Sequence, residues 1–138
     1  MEARHLASAK AIIGKIHYIN VATVNEDGSP WNTAVSATHD DQLVFSWGSS
    51  PDNVHSQNIR RDGRAFVTIY DSTAPEGTGE GVYLRGRAEE LGPEEGTAVY
   101  AYRFIPEQAW INDEAKNGDG SYQHDIRIEL PLSDLRGS

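Results

Sequence analysis

The sequence predicts a mainly β domain with flanking helices, built as a six-stranded antiparallel barrel. Runs of alternating side chains recur, most clearly at 64–71, where Phe66, Thr68 and Tyr70 stand opposite Ala65, Val67 and Ile69. Acidic-glycine turns short enough for hairpins separate the early runs. Regular crossover helices, which a parallel sheet requires, are missing, so hairpins must set the strand order. With 138 residues and no repeat, low-complexity tract or linker, the chain reads as one domain, 1–138. A domain of that length buries a core without staples.

Along the chain, residues 2–15 carry Ala3, Leu6, Ala7, Ile12 and Ile13 at roughly helical spacing. Residues 18–25 form the first strand. Glu26-Asp27-Gly28-Ser29-Pro30 is a turn, with Gly28 free to take positive φ. Residues 31–38 form a second strand, and His39-Asp40-Asp41 turns the chain into a third at 43–47. Ser50, Pro51 and Asp52 then read as a helix start: a hydroxyl cap, a ring suited to the first turn and an acid at the positive end. That helix runs to about Arg61, where Asp62-Gly63 stops it. After the strand at 64–71, a glycine-rich loop at 72–80 leads to a strand at 81–91. Gly92-Pro93-Glu94-Glu95 predicts a helix reaching Tyr102, with a further helical turn at 106–110. Residues 112–121 predict a polar loop. The last strand, 122–130, sets Tyr122, His124, Ile126, Ile128 and Leu130 on one face.

Composition narrows the function. The formal net charge of −9 is spread along the chain, a surface that repels nucleic acid and anionic lipid. Cysteine is absent, which removes disulfides, thiolate metal sites and cysteine nucleophiles together. No apolar run has the length of a membrane span, and the first twenty residues lack a signal-peptide core. A cytoplasmic protein is expected.

Several chemistries fail on pattern. No G-x-S-x-G elbow exists. Gly77-Thr78-Gly79-Glu80-Gly81 lacks the spacing of a dinucleotide fingerprint and joins two strands. Asn117-Gly118-Asp119-Gly120-Ser121 has the wrong ligand register for calcium. The five histidines are scattered, so no metal site is expected. The acid pairs Asp40-Asp41, Glu89-Glu90 and Glu94-Glu95 read as solvated turns and helix starts. What remains is the helix start after the third strand. Free backbone N–H groups there suit a phosphate. Ser49, Ser50 and Asn53 add hydroxyl and amide donors, and His55 donates from both ring nitrogens when protonated. Arg60, Arg61 and Arg64 bring charge nearby, and serve equally well to complement the helix dipole.

Residues 16–91 resemble the pyridoxamine 5′-phosphate oxidase-like family of FMN-binding split barrels. The resemblance is carried by Ala22-Thr23-Val24, Asp27-Gly28-x-Pro30, Thr33-Ala-Val-Ser36 and Asp40-Asp41-x-Leu-Val-Phe45. It continues in His55-x-x-Asn58-Ile-Arg-Arg-Asp-Gly-Arg64 and Val82-Tyr-Leu-Arg-Gly-Arg-Ala-Glu89, with a looser echo at 100–106. It implies a homodimer with FMN in clefts between protomers. Thr33, Val35 and Ser36 would border the flavin ring, and Ser46 and Trp47 would lie near the ribityl chain and phosphate. Ser49, Asn53, His55 and Asn58 would form or support the phosphate corner.

Two departures qualify what the resemblance implies. His55 stands where the family usually has a lysine or arginine, which makes FMN binding weaker or pH-dependent. Gly81 replaces a polar flavin contact, and no Trp- and Arg-containing C-terminal segment is evident, so vitamin B6 oxidation is not expected. The expectation is an FMN-dependent oxidoreductase acting on a small molecule, with its catalytic residues unassigned. The alternative is a non-catalytic module that binds flavin, deazaflavin or haem.

Overall fold

The computed structural model describes residues 2–76 and 80–137; the glycine run at 77–79 lies outside the described residues. The elements are α1 (Ala3–Lys15), β1 (Tyr18–Val24), β2 (Pro30–Ser36), β3 (Thr38–His39), β4 (Phe45–Ser49) and α2 (Val54–Arg61). Then come β5 (Arg64–Tyr70), β6 (Gly81–Pro93), β7 (Tyr100–Lys116), β8 (Tyr122–Leu130) and α3 (Leu132–Leu135). Every strand pairing is antiparallel.

The hydrogen-bonded path runs β2-β1-β5-β6-β7-β4-β3, and β8 pairs with β7 off this path. β2 and β3 therefore lie at opposite ends of the path, yet only Ala37 separates them in the chain. A flat sheet cannot satisfy both facts, so the sheet curls until its ends meet at Ala37. Ala37 N–H donates to the His17 carbonyl at 2.9 Å. The gap is bridged by covalent chain rather than by a ladder of hydrogen bonds, which makes the barrel split.

Alternation fills the interior as the sequence predicts. Ile19 and Val21 of β1, Val67 and Ile69 of β5, and Val82 and Leu84 of β6 are all buried. Ala9 and Ile13 of α1, Ile59 of α2 and Leu135 of α3 join the same core. α1 is anchored by the buried His5. The Glu2 backbone N–H donates to His5 Nδ1 at 3.1 Å, so Nε2 carries the proton and donates to Asp113 Oδ2 at 2.8 Å. That hydrogen bond is the main cause holding the Asp113 carboxyl down to about 2.

The chain between 92 and 121 differs from expectation. Gly92 takes φ of 111° at a register shift within β6, and Gly96 takes 77°, a left-handed geometry that breaks a helix. Glu94 N–H donates to the Val99 carbonyl at 2.9 Å, closing a turn where a helix was predicted. The next seventeen residues are one strand. β7 pairs with β6 from Tyr100 to Ile111, and its other edge takes β4 first and β8 after it. Pro106, predicted to be helical, sits opposite Gly86 at a register shift. A bulge tolerates its missing N–H. The predicted loop at 112–121 shrinks to a turn in which Asn117 N–H donates to the Ser121 carbonyl at 2.8 Å. α3 was not foreseen. No described helix is long and apolar enough to cross a membrane.

Candidate functional site

The helix start after β4 is the polar corner of the molecule. Its cap is not the predicted Ser50. The helix begins at Val54 with Asn53 as N-cap, and Ser50 Oγ accepts the Asp52 N–H at 3.2 Å. The proline pushes Ser50 away from helical geometry and delays the helix by a turn. Asn53 makes no side-chain cap, so the first-turn N–H groups of α2 lack a partner within the helix.

The inner face of α2 is polar. His55, Ser56, Asn58 and Ile59 are buried, following the helical repeat. His55 is only 5% exposed, and its Nε2 shares a hydrogen bond with Ser49 Oγ at 3.1 Å. Burial lowers its pKa below the ordinary histidine value, so the ring is neutral near pH 7. Asn58 Nδ2 donates to Thr23 Oγ1 at 3.0 Å and to Asn25 Oδ1 at 2.9 Å, tying α2 to β1. Arg61 donates to Asn58 Oδ1 and to the Val24 carbonyl, which leaves its guanidinium engaged in the frame.

Arg60 does what the sequence leaves undecided. Its guanidinium donates to Glu90 Oε2 at 2.6 Å and reaches back to the Pro51 carbonyl at 3.2 Å, bringing positive charge to the start of its own helix. Glu90 also accepts the buried Tyr102 hydroxyl at 2.7 Å. Its carboxyl is held below the usual range, chiefly by Arg60. Glu90 is thus not the solvated acid that the Glu89-Glu90 pair suggests. The signal for it lay in the Tyr100-x-Tyr102-x-Phe104 alternation, which makes β7 a strand beside β6.

The remaining expected residues spread over two strands. Val35 is buried, Thr33 half-buried and Ser36 exposed on β2. On β4, Ser46 is exposed, whereas Trp47 is buried and stacks on Tyr102 with centroids 6.1 Å apart. Successive strand residues face opposite sides, so Ser46 and Trp47 do not share a surface. The buried Trp47 Nε1 has no hydrogen-bond partner among the described residues. Ser49 and His55 do come together at the corner, with Asn53 as the N-cap beside them, whereas Asn58 faces β1. Beside its far end, a groove of about 640 Å³ runs between Arg60, Arg61 and Arg87 and the acids Glu89, Glu90 and Glu107.

With a split barrel and this corner in place, the comparisons agree on the class. The chain belongs to the pyridoxamine 5′-phosphate oxidase family, whose model matches residues 6–123. Solved structures share the fold at low identity. A Clostridium acetobutylicum protein related to general stress protein 26, of the pyridoxinephosphate oxidase family, has a TM-score of 0.71 at 15% identity, covering 98% of this chain and 99% of that one. A haem-binding protein from Mycobacterium smegmatis has a TM-score of 0.70 at 15% identity; the match covers 94% of this chain but 59% of that one. An F420 reductase has a TM-score of 0.61 at 16% identity, covering 72% of this chain and 94% of that one. No curated protein matches the chain by sequence.

Proposed function

We propose that this protein binds FMN with its phosphate at the start of α2 and acts as an FMN-dependent oxidoreductase on a small molecule, as a cytoplasmic homodimer. One observation carries the reading: first-turn N–H groups without a partner among the described residues, the Ser49 hydroxyl and the Arg60 guanidinium lie about one corner. Such a donor set fits a phosphate. The cation differs from the expected one, because Arg60 supplies the charge while His55 is neutral.

In this reading Ser49, Asn53 and His55 hold the phosphate and Asn58 fixes the helix beneath it. Thr33, Val35, Ser36, Ser46 and Trp47 are the candidates to border the rest of the cofactor. A bound flavin supplies hydride and electron transfer, and the protein supplies placement and shielding.

The test is the visible spectrum of the purified protein, followed by FMN titration with fluorescence quenching. Quenching to saturation supports the reading, and a colourless protein that leaves FMN fluorescence unchanged overturns it. The alternative is a binding module for haem or a deazaflavin. It is favoured by the likeness in fold to a haem-binding protein and an F420 reductase. A Soret band on haem addition, without FMN binding, would select it.

A further inference from the structure

The groove of about 640 Å³ at the far end of α2 carries two charges that the fold leaves unmatched. Most of its charged lining is engaged. Arg60 pairs with Glu90 at 2.6 Å, and Glu89 pairs with Arg103 at 3.1 Å. Arg61 donates to the Val24 carbonyl and to Asn58. Arg87 and Glu107 remain. Among the described residues, neither makes a hydrogen bond or ion pair, with each other or with a neighbour. Every other described arginine has a hydrogen-bonded partner or an aromatic ring. In a chain where acids outnumber Lys and Arg by 21 to 12, an arginine without an acid is conspicuous.

Two backbone features bring these groups to the groove. A Cβ built at Gly63 would lie 3.0 Å from Arg87 Nη2 and 3.0 Å from the Ala88 carbonyl oxygen. Gly63 has no positive φ, so its missing side chain serves close approach, and the Arg87 guanidinium lies against bare backbone. On the other wall, Gly86 faces Pro106 and Arg85 faces Gln108, so Glu107 is the bulged residue with nothing opposite. Bulges re-aim side chains, and here the one re-aimed is the unmatched acid.

Charge selects the occupant. The three arginines and three glutamates of the groove sum to zero, whereas the chain carries −9. A plain anion approaching Arg87 meets Glu107 and the negative field of the whole protein. A plain cation leaves Arg87 unmatched. A molecule with one carboxylate and one ammonium answers both groups and has no net charge to be repelled. Guanidinium takes a carboxylate through two parallel N–H donors, and a glutamate accepts from an ammonium. Ile59, Ala88 and Ile105 supply apolar lining between them. The volume lies within the range of small-molecule sites.

We propose that this groove binds a small zwitterion of the amino-acid type, its carboxylate on Arg87, its ammonium on Glu107 and its apolar side chain over Ile59, Ala88 and Ile105. None of these five residues belongs to the phosphate corner, so the proposal stands apart from the flavin reading.

The experiment titrates the isotope-labelled protein with L-leucine, followed by nitrogen–proton correlation spectra. Isopentylamine and isocaproate, which each keep one of leucine's two charges, are titrated alongside. Leucine is expected to saturate at millimolar concentration and to move the amides of Gly63, Ala88 and Glu107, while that of Gly118 stays still. The two half-ligands should bind about tenfold more weakly or worse, the scale of one charge-assisted hydrogen bond. Arg87→Gln and Glu107→Gln should each weaken leucine by a similar factor, and the off-groove control Lys10→Gln should not. Both groove residues are exposed, and circular dichroism establishes that the variants are folded. If either variant unfolds, the three ligands on the wild type still decide. No response to leucine overturns the proposal. Isocaproate binding as well as leucine would make the groove an anion site, and equal binding of all three would make it apolar adsorption; each also overturns it. So does wild-type affinity for leucine in both folded groove variants.

Discussion

His55 on α2 and Ser49 on β4 are joined side chain to side chain, Nε2 to Oγ, at 3.1 Å. The bond crosses the bend between strand and helix, where a phosphate would sit. It occupies the histidine with a neutral neighbour and leaves it buried, so the ring fixes the bend without adding charge.

A lysine at this position carries its charge on a flexible stem that reaches solvent from a buried root. His55→Lys is therefore expected to tighten FMN about tenfold, the scale of one charge-assisted hydrogen bond. It should also flatten the dependence on pH below about 6.5, where the buried histidine takes up its proton. Fluorescence quenching titrations at several pH values measure both. Equal affinity in the two proteins would remove His55 from the phosphate site.

Burial of His55 also sets a pH dependence of folding. Its folded pKa lies below the unfolded value, so the unfolded chain takes up the proton first as pH falls. Stability is complete above about 6.5 and declines below it, towards the lower folded pKa. Urea midpoints at pH 7.5 and about 5 should differ less in His55→Gln than in the wild type, since that variant removes the titrating ring. The same difference in both proteins would refute the assignment.

Asn58 joins helix to strand through two donated hydrogen bonds, to Thr23 and Asn25, and accepts one from Arg61. Asn58→Ala leaves buried polar atoms without partners. It should cost about 2–3 kcal/mol in urea unfolding, within the range for unsatisfied buried groups. A change under about 0.5 kcal/mol would mean that the network contributes only geometry.

Gly86 has a different constraint. A Cβ built there would lie 2.1 Å from the Ile105 carbonyl oxygen and 2.9 Å from Pro106 Cα. Both are backbone, so the β6–β7 register shift must open to admit it. Gly86→Ala should lower stability by about 2–3 kcal/mol, read as a fall in the thermal midpoint. An unchanged midpoint would show that the bulge is compliant.

Sequence reasoning succeeded where local pattern and burial coincide. β1, β5 and β8 alternate cleanly and are bounded by turn residues, so their ends were read within a residue. β7 was lost because Gly92-Pro93-Glu94-Glu95 mimics a helix opening, while Tyr100, Tyr102 and Phe104 already spelled a strand. At the candidate site, the residue types at 49–58 were legible, but their surroundings were not. Whether His55 is a cation depends on burial beneath α2. The reach of Arg60 to Glu90 depends on β6 lying alongside that helix, a contact between residues thirty positions apart. Tertiary placement of this kind leaves no periodic trace in the chain.

α1 has its contacts with β5, β6, β8 and α3, every one of them later in the chain. On the ribosome this helix emerges before any of the elements it packs against. Thirteen residues alone are marginal as a helix in water. The segment must therefore wait as a mobile leader with Ala9 and Ile13 uncovered, until the strands and α3 have been synthesised. A segment made before its partners is thus among the last to fold. A chaperone acting on the nascent chain would find its handhold there.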